Sequence, residues 1–227
     1  MSTYVCSDIH GYYDLFMKAL EEINFNNNDK LYILGDMIDK GNQGVKLLEY
    51  IIHHNNIHCI IGNHEQFFLN YYRNIMNDYN GDNRDEILEK INKYFSEDES
   101  HITWEILNYL DDLPYYIDHK KFIGVHAGMK PDEHGVLIDV HLQGANSLLY
   151  DRYFKDMDYT NPFGKPVLFG HTPCFYDNET GYFIKTPNIN SKNILDYTKI
   201  QLDAGVEYLD MLGVLRIDDM KEFYVRM

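Results

Sequence analysis

The chain is poor in basic residues, cysteine and long apolar runs. Lys and Arg together number 20 against 36 Asp and Glu, a formal net charge of −16 over 227 residues. Binding to a nucleic-acid backbone depends on cations that neutralise phosphates, so duplex DNA or RNA is not the expected partner. A site loaded with divalent cations inverts its local field, however, and phosphate binding stays open. Three cysteines, Cys6, Cys59 and Cys174, stand far apart with no CxxC spacing. They read as buried free thiols in a reducing compartment rather than as a disulfide framework or zinc knuckle. No apolar run approaches the roughly 20 residues of a membrane helix, and MSTYVCSD at the N-terminus lacks the layout of a secretory signal. The expected location is the cytoplasm, away from membranes. Proline numbers six, and no Pro/Gly-rich linker divides the chain, which reads as a single domain over 1–227.

Hydrophobic residues make up 44% and aromatics 15%, enough for a sizeable core. Short apolar runs of strand length recur: TYVC (3–6), LYIL (31–34), HCII (58–61), KFIGV (121–125), PVLF (166–169) and IQL (200–202). Helical patterns at 14–23 and 44–54 separate the first three, the signature of parallel βαβ units. From Gln66 to Leu113 the helical period dominates, and the stretch reads as a cap-like helical insertion. After Pro114 short strands succeed one another without helices, closing with a hairpin of LGVLRID (212–218) and EFYVRM (222–227).

The same few polar residue types stand at the end of every apolar run. TYVC leads to Ser7-Asp8-Ile9-His10-Gly11, LYIL to Gly35-Asp36-Met37-Ile38-Asp39-Lys40-Gly41, and CII to Gly62-Asn63-His64-Glu65. FIGV leads to His126-Ala127-Gly128, VLF to Gly170-His171-Thr172-Pro173, and IQL to Asp203-Ala204-Gly205. In open α/β sheets ligands bind beyond the carboxyl ends of strands. Six ends delivering Asp, Asn or His would build one polar cluster of oxygen and nitrogen donors without thiolate, a set suited to Mn²⁺, Fe or Zn²⁺. So many carboxylates and imidazoles call for positive charge among them, which two divalent cations supply. Asp8 and His10 can face one ion, Asp36 can bridge, and Asn63, His126 and His171 can complete the second. Two ions roughly 3.5–4 Å apart can hold a hydroxide and clamp a phosphoryl oxygen. Asp39 and His64 are not needed as ligands. As a pair they suit general-acid catalysis, the carboxylate orienting the imidazole that protonates a leaving oxygen. Glu65 is placed in the first turn of the next helix, where the dipole favours it. His53, His54 and His58 are expected at the surface, and the Asp203 block reads as a structural turn.

SDIHG, GDMIDKG, GNHE, VHAG and FGHTP, in that order, resemble the blocks of the calcineurin-like metallophosphoesterases, within them the serine/threonine phosphoprotein phosphatase branch of bacterial and phage type. The resemblance implies an α/β fold: two mixed sheets packed as a sandwich flanked by helices, with the metals at one edge. It implies the same ligands, two divalent ions with Mn²⁺ first and Fe or Zn²⁺ as alternatives, and the His64–Asp39 acid pair. It adds Arg152, in LLYDRYF, as a grip on the substrate phosphate. Lys40 stands where the family usually has Arg and offers a point charge in place of a bidentate fork. The expected activity is hydrolysis of phosphate monoesters by a metal-bridging hydroxide. A phosphorylated Ser/Thr protein is the first choice of substrate and a dinucleoside polyphosphate or small phosphoester the second. A metal-binding module that had lost its chemistry would lack a ligand or the acid, and none of these residues is missing.

Overall fold

The computed structural model describes residues 1–78, 84–95 and 101–227. Two mixed sheets of five strands form its centre. In the first, β1 (Thr3–Cys6), β2 (Lys30–Ile33) and β3 (Ile57–Cys59) run parallel in that order. β9 (Met211–Arg216) and β10 (Lys221–Arg226) add an antiparallel hairpin on the far side of β1. The helices α1 (Tyr13–Glu22) and α2 (Gly44–Ile52) connect the parallel strands, as the alternating pattern implies. In the second sheet β4 (Tyr116–His119), β5 (Phe122–Val125), β6 (Val167–Phe169), β7 (Ile184–Thr186) and β8 (Lys199–Gln201) lie in the order β4-β5-β6-β8-β7. Its three central strands are parallel and its two edges antiparallel.

The strands are continuous apolar runs because both of their faces are covered. Period-two alternation divides each run. Val5, Tyr32, Leu34 and Ile60 of the first sheet meet Phe122, Leu168, Ile200 and Leu202 of the second in an inner core. Tyr4, Cys6, Leu31, Ile33 and Cys59 point the other way, into a helical layer with Phe16, Leu20, Leu48 and Ile51. Ile123, Val125, Val167 and Phe169 face outward against Met129, Leu148 and Phe154.

Between β3 and β4 come α3 (Asn63–Asp78), α4 (Arg84–Phe95) and α5 (Trp104–Asp111). Phe68, Leu69, Ile75, Ile87, Ile91, Ile106 and Leu110 join the same cluster as α1 and α2, so these helices extend the helical layer. The three thiols are buried and unpaired, and burial pushes the Cys59 thiol up to about 12. His58 corrects the surface assignment: it lies within β3, half-buried, its ring 5.1 Å from that of Tyr32. Among the described residues no helix is long and apolar enough to cross a membrane.

Candidate metal centre

The carboxyl ends of β1, β2, β3, β5 and β6 converge on one edge, and the loops leaving them carry Asp8, His10, Asp36, Asn63, His126 and His171. All six are buried. The chain reaches this arrangement by turning sharply as it leaves each strand. Six of the ten described non-glycine residues with positive φ lie in these loops: Asp8, His10, Asp36, Asp39, Lys40 and His171. Asp and His are among the side chains that tolerate this region. Such strained backbone concentrates at functional sites because the surrounding structure over-determines it.

The turns after β1 and β2 are tied to each other through backbone. Asp8 N–H donates to Gly35 O (3.2 Å), His10 N–H to Asp36 O (2.9 Å) and Gly11 N–H to Met37 O (2.7 Å). Glu65, fully buried in the first turn of α3, completes this frame. Its carboxylate accepts from Gly62 N (2.8 Å), Asp36 N (2.9 Å), Met37 N (2.7 Å) and Ile38 N (3.0 Å). The first-turn placement holds, but Glu65 does more than meet a helix dipole: it gathers the donors of the loop carrying Asp36. A Cβ on Gly62 would run into the Asp36 carboxylate and backbone, so only glycine lets this loop come so close.

Asp36 sits at the centre. The ligand atoms of Asp36, His126 and His171 lie within 4.8 Å of one another, as do those of His10, Asp36 and His64. Burial alone would raise the Asp36 carboxyl, but the imidazoles of His126, His10 and His64 outweigh it and hold it well below the ordinary carboxylate range. Asp8 moves the other way, raised by burial and by the carboxylates of Asp203 and Asp36. It accepts from the Ser7 hydroxyl and from His171 N–H (3.0 and 3.1 Å).

The donor set fits cations on three counts. His126 donates from Nδ1 to Leu34 O (2.8 Å), which turns Nε2 toward Asn63 Oδ1 (2.8 Å) and Asp36 Oδ1 (3.4 Å), two acceptors. Only a proton or a cation reconciles a nitrogen lone pair with two oxygen lone pairs at this range. Burial lowers His126, but Asp36 and Asp8 push it up to about 10, so without metal a proton holds that position. His171 Nε2 is buried without a hydrogen-bond partner, and burial with the nearby His126 and Arg152 lowers its imidazole to about 3. It is therefore neutral, the form that ligates. His10 is also lowered by burial, with its Nδ1 3.3 Å from Ile38 O. Its Nε2 is 3.7 Å from Asp36 Oδ2.

His64 donates from Nδ1 to Asp39 Oδ2 at 2.7 Å, leaving Nε2 3.8 Å from Asp36 Oδ2. Burial opposes ionisation of Asp39, but the bonds from His64 and from Lys40 N–H hold its carboxyl below its usual range. Arg152 and Lys40 line a cleft of about 260 Å³ with His10, Asp36, His64 and His171. The Lys40 ammonium is already engaged, 2.6 Å from Glu207 Oε2. On the other side of His64 lies an apolar hollow of about 200 Å³ bounded by Ile38, Val45, Leu48, Phe67 and Phe68.

Two residues outside the predicted set bear on the site. Asp203 is buried beside the cleft and accepts from Gly205 N (2.9 Å), as a turn residue does. Burial and the Asp36 carboxylate nevertheless raise it to about 7. Lys199, buried on β8, donates to the carbonyls of Phe154 (3.1 Å), Lys155 (2.7 Å) and Met157 (2.8 Å), fastening the segment just beyond Arg152. The apolar flank KIQL hints at the burial of Lys199, but no local pattern indicates its distant carbonyls.

The family model described as calcineurin-like phosphoesterase matches residues 1–208. A symmetrical bis(5'-nucleosyl)-tetraphosphatase of Buchnera aphidicola subsp. Baizongia pistaciae (strain Bp) is 31% identical over 135 residues, 58% of this chain and 45% of that protein. The matched stretch thus spans about half the length of this relative. Among solved structures, a metallophosphoesterase from Sphaerobacter thermophilus superposes with a TM-score of 0.58 at 16% identity, covering 100% of this chain and 88% of that one. A protein serine/threonine phosphatase from Saccharomyces cerevisiae with similarity to human phosphatase PP5 gives 0.59 at 17% identity, covering 99% and 79%. At such identities these two establish the fold alone.

Proposed function

The chain belongs to the calcineurin-like phosphoesterases, and from that premise we propose that it hydrolyses symmetrical dinucleoside tetraphosphates to two nucleoside diphosphates. One observation carries the choice of substrate. The relatives aligned in sequence at about 30% identity are named for this activity, whereas the protein phosphatase shares only the fold. This reverses the order suggested by the sequence blocks, which put a phosphorylated protein first.

Asp8, His10 and Asp36 would hold one divalent ion, and Asp36, Asn63, His126 and His171 the other, Mn²⁺ being our first choice. When bound, such ions supply Lewis acidity and an activated water. The chain's own residues do the rest. Glu65 holds the Asp36 loop, and Leu34 O fixes the His126 tautomer. Arg152 presents its guanidinium to the equatorial phosphoryl oxygens. Lys40 joins only by exchanging Glu207 for phosphate. His64, oriented by Asp39, gives its Nε2 proton to the leaving oxygen. A leaving nucleoside diphosphate is a weaker base than a serine alkoxide and needs that proton less. General acids typically contribute about 10²–10⁴-fold. His64→Ala should therefore slow a phosphoserine peptide by that amount and a dinucleoside tetraphosphate by less; equal losses would argue against the acid role.

The deciding experiment is turnover of diadenosine tetraphosphate against a phosphoserine peptide in Mn²⁺. The expected result is ADP as the nucleotide product and kcat/KM at least about tenfold higher for the dinucleotide, one decade being about 1.4 kcal/mol of transition-state discrimination. Turnover of the peptide alone would overturn the reading.

A further inference from the structure

Phosphate chemistry leaves one wall of the cleft unused. The loop after β6 ends in the short helix α6 (Phe175–Asn178), and the loop after β8 in α7 (Val206–Leu209). Because β6 and β8 are parallel neighbours, both helices emerge at the metal edge. They bring three rings together: Phe175 lies 4.2 Å from Tyr176 and 4.8 Å from Tyr208, centroid to centroid, and the two tyrosines are 5.9 Å apart. Tyr176 is 57% exposed and Tyr208 50% exposed. Both line the same cleft as His10, Asp36, His171 and Arg152. Covering such rings is favourable by their area alone, yet the fold holds Tyr176 and Tyr208 half in solvent beside the positive-φ turn at His171.

We propose that Tyr176 and Tyr208 form a stacking platform for the base of a nucleotide whose phosphates lie at the metal edge. This rests on and deepens the dinucleotide reading, since it assigns one of the two nucleosides a place. The physical case has two parts. The phosphate-gripping groups and the exposed rings share one cleft, so a ligand with a phosphate end and a flat aromatic end touches both. A chain of net charge −16 repels polyphosphate at long range outside the cation-loaded edge, so a contact that does not depend on charge adds affinity there. The π-face of a base provides one. The apolar hollow beside His64 is a weaker candidate, because Val45, Leu48 and Phe68 on its walls are already buried in the helical core.

The test is calorimetric titration of the Mn²⁺-loaded protein with ADP and with pyrophosphate. One base–aromatic stack corresponds to about 5- to 150-fold in affinity. ADP should bind tighter than pyrophosphate by a factor in that range. Tyr176→Ala combined with Tyr208→Ala should erase the difference, and Tyr176→Trp should keep it. If the double variant does not fold, Tyr176→Leu combined with Tyr208→Leu, which keep bulk but lack a π-face, decide by the same ratio. Equal binding of ADP and pyrophosphate by the wild-type chain, or an undiminished preference in the variant that lacks the rings, overturns the platform. Substrate turnover is measured separately. A protein that prefers ADP yet cleaves only phosphopeptide would defeat the dinucleotide reading while supporting the platform.

Discussion

The two sheets build their halves of the candidate centre differently. The first sheet's half, with Asp8, His10, Asp36 and Asn63, is a frame knit by backbone: the β1 and β2 turns bond to each other, and Glu65 gathers four N–H groups from the loops around Asp36. The second sheet's half is clipped on through individual groups. His126 reaches Leu34 O, His171 N–H reaches the Asp8 carboxylate, and Lys199 fastens the segment beyond Arg152. Both halves would contribute cation ligands, but only the second sheet's half also carries Arg152, the proposed grip on substrate, in the wall of the cleft.

Asp36→Asn strikes the centre of the frame and should have the largest effect. Loss of the carboxylate proposed to be shared by both ions is expected to lower kcat at least about 10²–10³-fold, the scale of removing a transition-state-stabilising group, and to weaken Mn²⁺ binding in a metal titration. Near-wild-type turnover would show that Asp36 bridges nothing. Glu65→Gln keeps the shape but leaves buried N–H groups without a full acceptor, at a cost on the order of 3 kcal/mol in urea unfolding. It should weaken metal binding as well. A loss of stability with metal affinity intact would separate the frame from the site.

Lys199→Met tests the clip. It removes three charge-assisted hydrogen bonds, worth about 2 kcal/mol together after relaxation. If this half receives substrate, KM should rise several-fold with little change in kcat; a fall in kcat alone would break the distinction. A further effect concerns pH. Asp203 is raised to about 7 in the folded chain, so the native state keeps a proton that the unfolded chain releases near pH 4. The resulting stabilisation is full below that pH and is lost as pH rises through 7. In chelator, Asp203→Asn should gain stability relative to wild type as pH rises across that window, by at most about 1.4 kcal/mol per pH unit. Mn²⁺ should flatten the difference. A constant offset between the two melting curves from pH 4 to 8 would show that Asp203 is ionised throughout.

Most of the architecture was legible because strands buried on both faces must be continuous apolar runs, and LYIL, PVLF and IQL are such runs. The helical middle was legible as helix through its 3.6-residue period. Its sharing of one core with α1 and α2 was not, because amphipathic spacing tells that a face is buried and not against what. Asp8, His10, Asp36, Asn63, His126 and His171 could be picked out as a set because each stands just past a strand end. Glu65 showed only its helix position, and His58 was misplaced because it is a polar residue inside a short buried strand.

By itself, the sequence determined the strand ends, the donor chemistry and the glycines that let the loops close in, all properties of residues adjacent along the chain. Tertiary structure alone decided what depends on groups distant in sequence: the four amides around Glu65, the carbonyls around Lys199, the Lys40–Glu207 pair and the Tyr176–Tyr208 wall. Hydrogen bonds and ring contacts act over a few ångströms of space, and no local pattern of residues encodes which remote atoms the fold will bring within that range.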